Sequence, residues 1–365
     1  MMRPHKILGI LGGGQLGRMS ALAAARLGIK THIYTPETDS PASHVAAQTF
    51  IGAYDDRKKL KAFAESVGVV SYEFENIPIE TVRYIQKTRP VFPDDRLLEI
   101  AQHRAKEKKF LNDIGIDTAR WALARTADDV AKAGNEMGRS DYILKTARFG
   151  YDGKGQVSWG VHENPKDKWK SLKSNEIIIE ERIDFTCEIS VIIARDKLGQ
   201  TATYGPMLNE HKNHILAKTT IPAPIPDDLA KKARRLTEHL AEAVDLVGVM
   251  ALEMFVTRDG GLIANEIAPR THNSGHWTID ACTVSQFEQH VRTVCDMPVG
   301  APGRFADAMM INLIGKDVMK LAPWLEMPHA SLHLYGKEEV KAGRKMGHVT
   351  IIKPPRLSGK AIAGD

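Results

Sequence analysis

The stretch VMALEMFVTRDGGLIANEI, residues 249–267, decides how the chain is read. Two apolar runs flank Arg258-Asp259-Gly260-Gly261. Asp-Gly between such runs signals a hairpin with a two-residue type I′ turn. With Asp259 and Gly260 as the loop, Arg258 pairs with Gly261, and counting outward sets Glu253 opposite Glu266. Like charges directly opposite each other across an antiparallel pair are destabilising. The neighbours Ala251, Met254, Phe255, Ile263 and Ala264 are apolar, so water screens the pair poorly. A cation between the carboxylates removes the conflict. Oxygen-only ligands point to magnesium, which commonly brings nucleotide phosphates with it. Simple alternation turns Asn265 to the other face unless a bulge intervenes. The competing reading is a shifted register that leaves one glutamate on an exposed face.

Upstream, Arg148-Phe149-Gly150-Tyr151-Asp152-Gly153-Lys154-Gly155-Gln156 joins three glycines to two cations. Such a loop is flexible enough to cover phosphates, although it lacks the G-x-x-x-x-G-K-[ST] pattern of a Walker A loop. Lys145 sits on the strand before it, placed for a phosphate contact or simply exposed. Glu180-Glu181-Arg182-Ile183 closes an apolar strand, where acidic side chains and free backbone groups can read an adenine amine and ribose hydroxyls. Glu188 shares a polar strand face with Thr186 and Ser190. Downstream, Ala268-Pro269-Arg270-Thr271-His272-Asn273-Ser274-Gly275-His276 puts a cation, two imidazoles, an amide and a hydroxyl just beyond the carboxylate strand. This suits an anionic substrate, with packing as the bland role for His276. Lys341, Arg344 and Lys345 form a second basic cluster, or a solvated turn.

The first hundred residues alternate strand and helix, which implies a parallel, doubly wound sheet. Gly12-Gly13-Gly14-Gln15-Leu16-Gly17 fits G-x-G-x-x-G after a strand. A dinucleotide site also wants an acidic residue at the end of the second strand. That strand ends Tyr34-Thr35-Pro36, with Glu37 and Asp39 beyond it in a loop, so a nicotinamide enzyme is disfavoured. The block from about 100 to 298 reads as α+β. Within it Pro226–Leu246 is an amphipathic helix with Leu229, Ala233, Leu236, Leu240 and Val244 as its stripe. Pro298–Pro302 reads as a linker, and the last sixty residues as a small β-rich cap.

The whole-chain numbers agree. At 365 residues, length predicts two to three domains. A formal net charge of +5 is too dilute to indicate nucleic acid. Three cysteines without C-x-x-C spacing argue against a disulfide framework or a zinc-thiolate site. No apolar run approaches a membrane span, and the start does not read as a secretory signal, so a cytoplasmic protein is expected.

The order glycine turn, phosphate lysine, glycine flap, acidic strand end and paired carboxylates resembles the ATP-grasp superfamily. The strings GGGQLGRM (12–19), FENIP (74–78), GYDGKGQ (150–156), NEIAPRTHNSGHW (265–277) and GRKMGH (343–348) resemble the 5-(carboxyamino)imidazole ribonucleotide synthase family of purine biosynthesis. The likeness runs from about residue 7 to residue 351. It implies a Rossmann-like pre-ATP-grasp domain over 1–99, an ATP-grasp domain over 100–298 and a β-rich domain over 299–365. It implies a ligase that uses ATP with one magnesium ion or two. Bicarbonate becomes carboxyphosphate, and the amine of 5-aminoimidazole ribonucleotide captures the carboxyl group. A homodimer is implied, with no nucleic-acid or membrane partner.

By position, Arg104, Lys145, Gly150, Tyr151, Asp152, Gly153, Lys154, Gly155 and Gln156 contact ATP. Glu180, Glu181, Arg182, Ile183, Glu188 and His211 hold adenine and ribose, and Asn265 lies beside Glu266 on the nucleotide side. Glu253 and Glu266 hold magnesium. Gly13, Gln15, Glu75, Asn76, Arg270, His272, Asn273, Ser274, Arg344 and Lys345 match the substrate region. Among these, Tyr151, Asp152, Arg270, His272 and Lys345 carry the catalytic expectation. Two positions depart from the wider pattern: His103 stands where Asp is more usual, and Ala268 where many ATP-grasp enzymes carry Asn. The nearest rival is another acyl-phosphate-forming ATP-grasp ligase, such as a formate-dependent glycinamide ribonucleotide transformylase.

Overall fold

A computed structural model describes residues 7–150 and 153–353. Strands β1 (Ile7–Leu11), β2 (Lys30–Thr35), β3 (Gln48–Ile51) and β4 (Val69–Tyr72) form an all-parallel sheet in the order β3-β2-β1-β4. This is the doubly wound unit expected. The short edge strand β3 is added to it; its residues are exposed or half-buried, so no apolar run marks it.

The glycine turn feeds the helix Gln15–Arg26. Its N-terminal amides are already occupied. Gly14 N–H donates to Glu73 Oε1 at 2.6 Å and Gly17 N–H to Glu73 Oε2 at 3.1 Å. A Cβ at Gly14 would stand 2.4 Å from Glu73 Oε1, so glycine is required for this approach. The anion that a helix N-terminus attracts is here the protein's own carboxylate. That gives a physical ground for setting the dinucleotide reading aside.

Strands β5 (Trp121–Ala124), β6 (Asp141–Thr146), β7 (Gln156–Gly160) and β8 (Ile177–Glu181) make a second, antiparallel sheet in the order β5-β8-β6-β7. Strands β9 (Phe185–Arg195), β10 (Thr201–Lys212), β11 (Ile215–Ile221), β12 (Gly248–Thr257), β13 (Leu262–Ala268), β14 (Asp307–Ile314), β15 (Ala330–Leu334) and β16 (Lys345–Lys353) make the third. Its order is β13-β12-β9-β10-β11-β14-β16-β15. The C-terminal strands therefore extend the central sheet, joined through β11 and β14, rather than forming a sheet of their own. The amphipathic helix spans Asp227–Ala243 and buries Leu229, Ala233 and Leu240, with Val244 at its C-cap; Leu236 is only partly buried.

The segment read as a linker is tied down. Gln289 donates to the Gly300 carbonyl at 2.6 Å and accepts from Gly300 N–H at 2.9 Å. Gln289 belongs to the helix Gln286–Val294, whose Phe287, Val291 and Val294 share one core with Leu8, Ile10, Leu16 and Met19 of the first unit and Tyr335 of β15's C-terminal flank. Beneath that core, His290 Nε2 meets Ser71 Oγ at 2.8 Å. The first unit is thus packed directly onto the central one.

Glu73→Ala leaves two helix-start amides without their acceptor. Unfolding free energy should fall by about 1–3 kcal/mol, and less for Glu73→Gln, as read by urea denaturation. Equal stability of Glu73→Ala and the parent would show that the carboxylate does not hold this turn.

Candidate active site

Glu253 and Glu266 are paired across the β12–β13 hairpin, as the sequence predicts. The route to that pairing differs. Thr257 N–H bonds to the Gly261 carbonyl, so the loop has three residues, 258–260, with Gly260 at φ +80°. This shifts the register to Val256↔Leu262, Phe255↔Ile263 and Met254↔Ala264. A bulge at Asn265 then restores Glu253↔Glu266. The bulge also brings Asn265 into the same cleft as Glu253 and Glu266.

Neither carboxylate stands alone. His272 Nε2 is 2.8 Å from Glu253 Oε1, and Arg104 Nη1 is 3.5 Å from Glu266 Oε2. Burial pushes the Glu253 carboxyl up, but the His272 hydrogen bond and the charges of His272, His211 and Arg270 outweigh it and hold it low. At Glu266 burial is reinforced by the charge of Glu253, and the carboxyl is held up despite Arg104 and Lys145. A third carboxylate sits behind them. Glu107 accepts from Ile267 N–H at 2.5 Å, and burial followed by the charge of Glu266 pushes it up to about 8.

Glu107 and Lys108 escaped the sequence reading. Both lie on the helix Arg104–Asp113, whose buried residues are Ala105, Glu107, Lys108 and Leu111. The available signal was a helical stripe with charges at core positions. His103, at the helix start, does not cap it; its Nε2 turns to Glu176 at 2.8 Å. Arg104 N–H instead donates to the Ala147 carbonyl, and Arg104 Nη2 donates to Gly150 O at 3.2 Å. Arg104 thereby ties the base of the glycine-rich loop to Glu266.

Glu180 is buried between two ammonium groups, Lys145 Nζ at 2.7 Å and Lys108 Nζ at 3.2 Å. Burial opposes its ionisation, but Lys145 and Lys108 outweigh it and bring the carboxyl to about 2. It stays charged and aims Lys145 at the cleft. Burial lowers Lys145, against the charge of Glu180.

The cleft has a volume of about 470 Å³. Its apolar lining is Ile143, Phe185, Phe255 and Ile267, and His211 Nδ1 stands 3.1 Å from Glu188 Oε2. Lys145, Gly150, Gly153, Lys154 and Gln156 line it as well. So do Gln15, Glu75, Asn76, Arg270, His272, Asn273 and Lys345. Arg270 grips Glu75 with two hydrogen bonds, Nη2 to Oε1 at 3.1 Å and Nε to Oε2. Both amide atoms of the Asn273 side chain are buried without a hydrogen-bond partner. His272 Nδ1 continues inward to Ser274 Oγ at 2.8 Å, which meets Ser190 Oγ at 2.7 Å, and Asn209 donates to Ser190.

Several expected residues do not line this cleft. Gly13 packs against Ser40 and Gly155 against Thr146, Ser274 is fully buried and bonded to His272, and Arg344 donates to the Glu339 carbonyl. Glu180 stands behind Lys145. Glu181, Arg182 and Ile183 face an adjoining recess that shares Phe185, and Glu181 is held by Arg120 and Arg139. Tyr151 and Asp152 lie outside the described residues.

Three family models match in sequence: a ribonucleotide synthetase preATP-grasp domain over 5–102, an ATP-grasp domain over 109–287 and a phosphoribosylaminoimidazole carboxylase C-terminal domain over 308–358. The N5-carboxyaminoimidazole ribonucleotide synthase of Brucella melitensis is 46% identical over 355 residues, 97% of this chain and 98% of that one. The chain belongs to the N5-carboxyaminoimidazole ribonucleotide synthase family. Membership makes it an ATP-grasp ligase, an ATP-dependent enzyme. An N5-carboxyaminoimidazole ribonucleotide synthetase solved as an ADP complex superposes with a TM-score of 0.92 at 39% identity, covering 97% of this chain and 94% of that one. The Aspergillus clavatus synthase, solved with ADP and 5-aminoimidazole ribonucleotide, superposes at 0.89 and 29% identity over 96% of this chain and 94% of its own.

The Glu75–Arg270 pair carries a pH signature. Burial raises Glu75, but the charge and hydrogen bonds of Arg270 outweigh it and bring the carboxyl to about 2 from an ordinary 4.5. A depressed carboxyl contributes stability that is fully present above the ordinary value and lost as pH falls towards the folded one. The stability gap between the parent and Glu75→Gln should therefore narrow from about pH 4.5 down to about pH 2. A gap that stays constant over that window in denaturant titrations would show that the pair contributes nothing through ionisation.

Proposed function

We propose that this chain carboxylates the exocyclic amine of 5-aminoimidazole ribonucleotide, using ATP and bicarbonate, to give N5-carboxyaminoimidazole ribonucleotide, ADP and phosphate in purine biosynthesis. The observation that carries this reading is the single cleft that gathers three kinds of lining. Its apolar residues, with Glu188 and His211, suit a nucleoside. Arg270, Lys345 and the unpartnered Asn273 amide suit an anionic second substrate. The facing Glu253 and Glu266 line the same cleft. ADP and 5-aminoimidazole ribonucleotide bound together in the Aspergillus relative support it.

The donor set fits magnesium. Two facing carboxylates and the Asn265 amide, brought to the same cleft by the bulge, offer hard oxygen ligands. Glu253, Glu266 and Asn265 would hold the ion, whose charge would offset that on the transferring phosphoryl group. Everything else is carried by side chains. Lys145, held by Glu180, and Arg104 present positive charge to the phosphates, and the flap excludes water from an intermediate that hydrolyses readily. In the first step a bicarbonate oxygen bonds to the γ-phosphorus as the bond to ADP breaks. In the second, the amine nitrogen bonds to the carboxyl carbon, the carbon–oxygen bond to phosphate breaks, and the nitrogen's proton passes to the departing phosphate. Arg270, with Glu75 fixing its plane, and Lys345 stabilise the oxygen charge in that step. His272 is oriented by Glu253 on one nitrogen and Ser274 on the other. Tyr151 and Asp152, inside the flap, complete the proposed set on the strength of the resemblance.

The site draws on all three proposed units, 1–99, 100–298 and 299–365: Gln15, Glu75 and Asn76 come from the first and Lys345 from the last. A homodimer and a cytoplasmic setting belong to the same proposal. Among the described residues no helix is long and apolar enough to cross a membrane.

ADP release should require both bicarbonate and 5-aminoimidazole ribonucleotide for full rate when substrates are omitted one at a time. Release with formate and glycinamide ribonucleotide instead would overturn the assignment. Glu253→Gln and Glu266→Gln should each lower kcat/KM for magnesium–ATP by about 100-fold or more. Unchanged magnesium dependence in both variants would remove the carboxylate pair from the metal role.

A further inference from the structure

The carboxylate pair sits on β12 and β13, and β13 is the outer edge of its sheet. Along an antiparallel edge strand, residues alternate between bonding the neighbouring strand and presenting their N–H and C=O outward. Outward amides therefore recur at every second residue. In β13 two outward amides stand three residues apart. Ala264 N–H donates to the Asp117 carbonyl at 2.8 Å, and Ile267 N–H donates to Glu107 Oε1 at 2.5 Å. The odd spacing is the Asn265 bulge seen from the outer side of the strand. The two bonds enclose Asn265 and Glu266, both of which line the cleft.

The two outer bonds are made differently. Asp117 acts through its backbone, next to the bridge between Thr118 and Ala264. Glu107 acts through a side chain that arrives from the helix Arg104–Asp113. Glu107 and Ile267 are 2% and 4% exposed, so water is a poor substitute for their bond, and a buried amide must be paired. Arg104, one turn earlier, lies on the same helix face and reaches Glu266 Oε2 with Nη1 at 3.5 Å. The helix thus holds Glu266 twice, by its carboxylate and by the amide that follows it. A third carboxyl beside two others is an expensive choice of residue. An apolar side chain would fill the space without that cost, but it would offer the Ile267 amide no acceptor.

We propose that Glu107 is a positioning residue for the carboxylate pair. Its oxygen on the Ile267 amide fixes the peptide after Glu266, and with it the direction in which Glu266 faces Glu253. The inference rests on the reading of that pair as the magnesium site. Glu107 acts through the strand: without it the bulge is held from outside at Ala264 alone, and Glu266 is free to turn from its partner.

The test measures ADP binding to the full-length protein by calorimetry, with and without magnesium chloride. Magnesium should tighten ADP in the parent. Glu107→Leu should reduce that tightening by about tenfold and change the metal-free ADP affinity by less than about twofold. Glu107→Gln keeps an oxygen for the Ile267 amide and should restore most of the effect. In turnover, Glu107→Leu should raise the magnesium concentration at half-maximal rate and leave KM for 5-aminoimidazole ribonucleotide unchanged. Circular dichroism checks folding; where Glu107→Leu does not fold, Glu107→Ser, too short to reach the amide, is read in the same way. A parent-like magnesium effect in Glu107→Leu overturns the proposal. So does a Glu107→Gln variant as impaired as Glu107→Leu, because charge rather than the acceptor would then matter. Glu253→Gln separates the two readings. If it leaves the magnesium effect intact, the pair is not the metal site and both readings fall. If it abolishes the effect while Glu107→Leu does not, only the role of Glu107 falls.

Discussion

Two carboxylates, Glu253 and Glu266, are forced to face each other across adjacent strands, with buried Leu252, Met254 and Ile267 beside them along the chain. Separating them would cost the hairpin its register, because one slip moves the whole buried set of β12 or β13 to the wrong face. The fold answers by setting polar partners from elsewhere in the chain against the pair. His272 comes from the following loop and Arg104 from a helix 150 residues earlier. Each of these is then held in turn, His272 by Ser274 and Arg104 by the flap-base carbonyl of Gly150. Much of the polar structure around the cleft follows from placing two like charges face to face at its wall.

The same logic runs outward to the unit boundaries. Glu180 is useful because it is buried and still charged. It holds Lys108 and Lys145 at fixed positions, where an isolated lysine would retreat to solvent or lose its proton. Arg270 is likewise pinned by Glu75 from the first unit. The guanidinium plane is therefore set by a residue in the turn that follows β4 of a different sheet. Such a bidentate grip makes the packing of the first unit on the central one part of the site itself. The core shared by Leu16, Met19, Phe287, Val291 and Tyr335 keeps that packing in register.

What was legible in the sequence follows from how local each signal is. The parallel sheet, the long amphipathic helix and the Glu253–Glu266 pairing rest on periodicity and turn chemistry within short windows. The pairing was reached by a count that misses two features: a three-residue loop moves the register one way and the Asn265 bulge moves it back. Neither has a local mark strong enough to read, and they cancel. Strand β10 was hidden because Gly205 and Pro206 sit at a bulge in its middle, where punctuation looks like a loop. The helix Gln286–Val294 was hidden because it buries Gln286, Glu288, Gln289, His290 and Thr293 along with its apolar residues, so it has no stripe. Glu107 and Lys108 are buried through partners far away in the chain, and a helix full of charges reads as solvated.

Glu73 shows why a motif and a site are different things. A strand, a glycine turn and a helix N-terminus create a concentration of amide donors wherever they occur. The donors do not specify who answers them. In this chain the end of β4 is followed by a glutamate, and Gly14 leaves no Cβ to keep it away. The carboxylate therefore reaches the amides that would otherwise cradle a phosphate. A turn already satisfied by its own protein gains little from a dinucleotide, whose phosphates would have to displace a bound charge of the same sign. The turn keeps the part of its role that needs no ligand: it lets the helix pack close to β1 and sets Gln15 at the rim of the cleft, beside the residues that Glu75 and Arg270 organise.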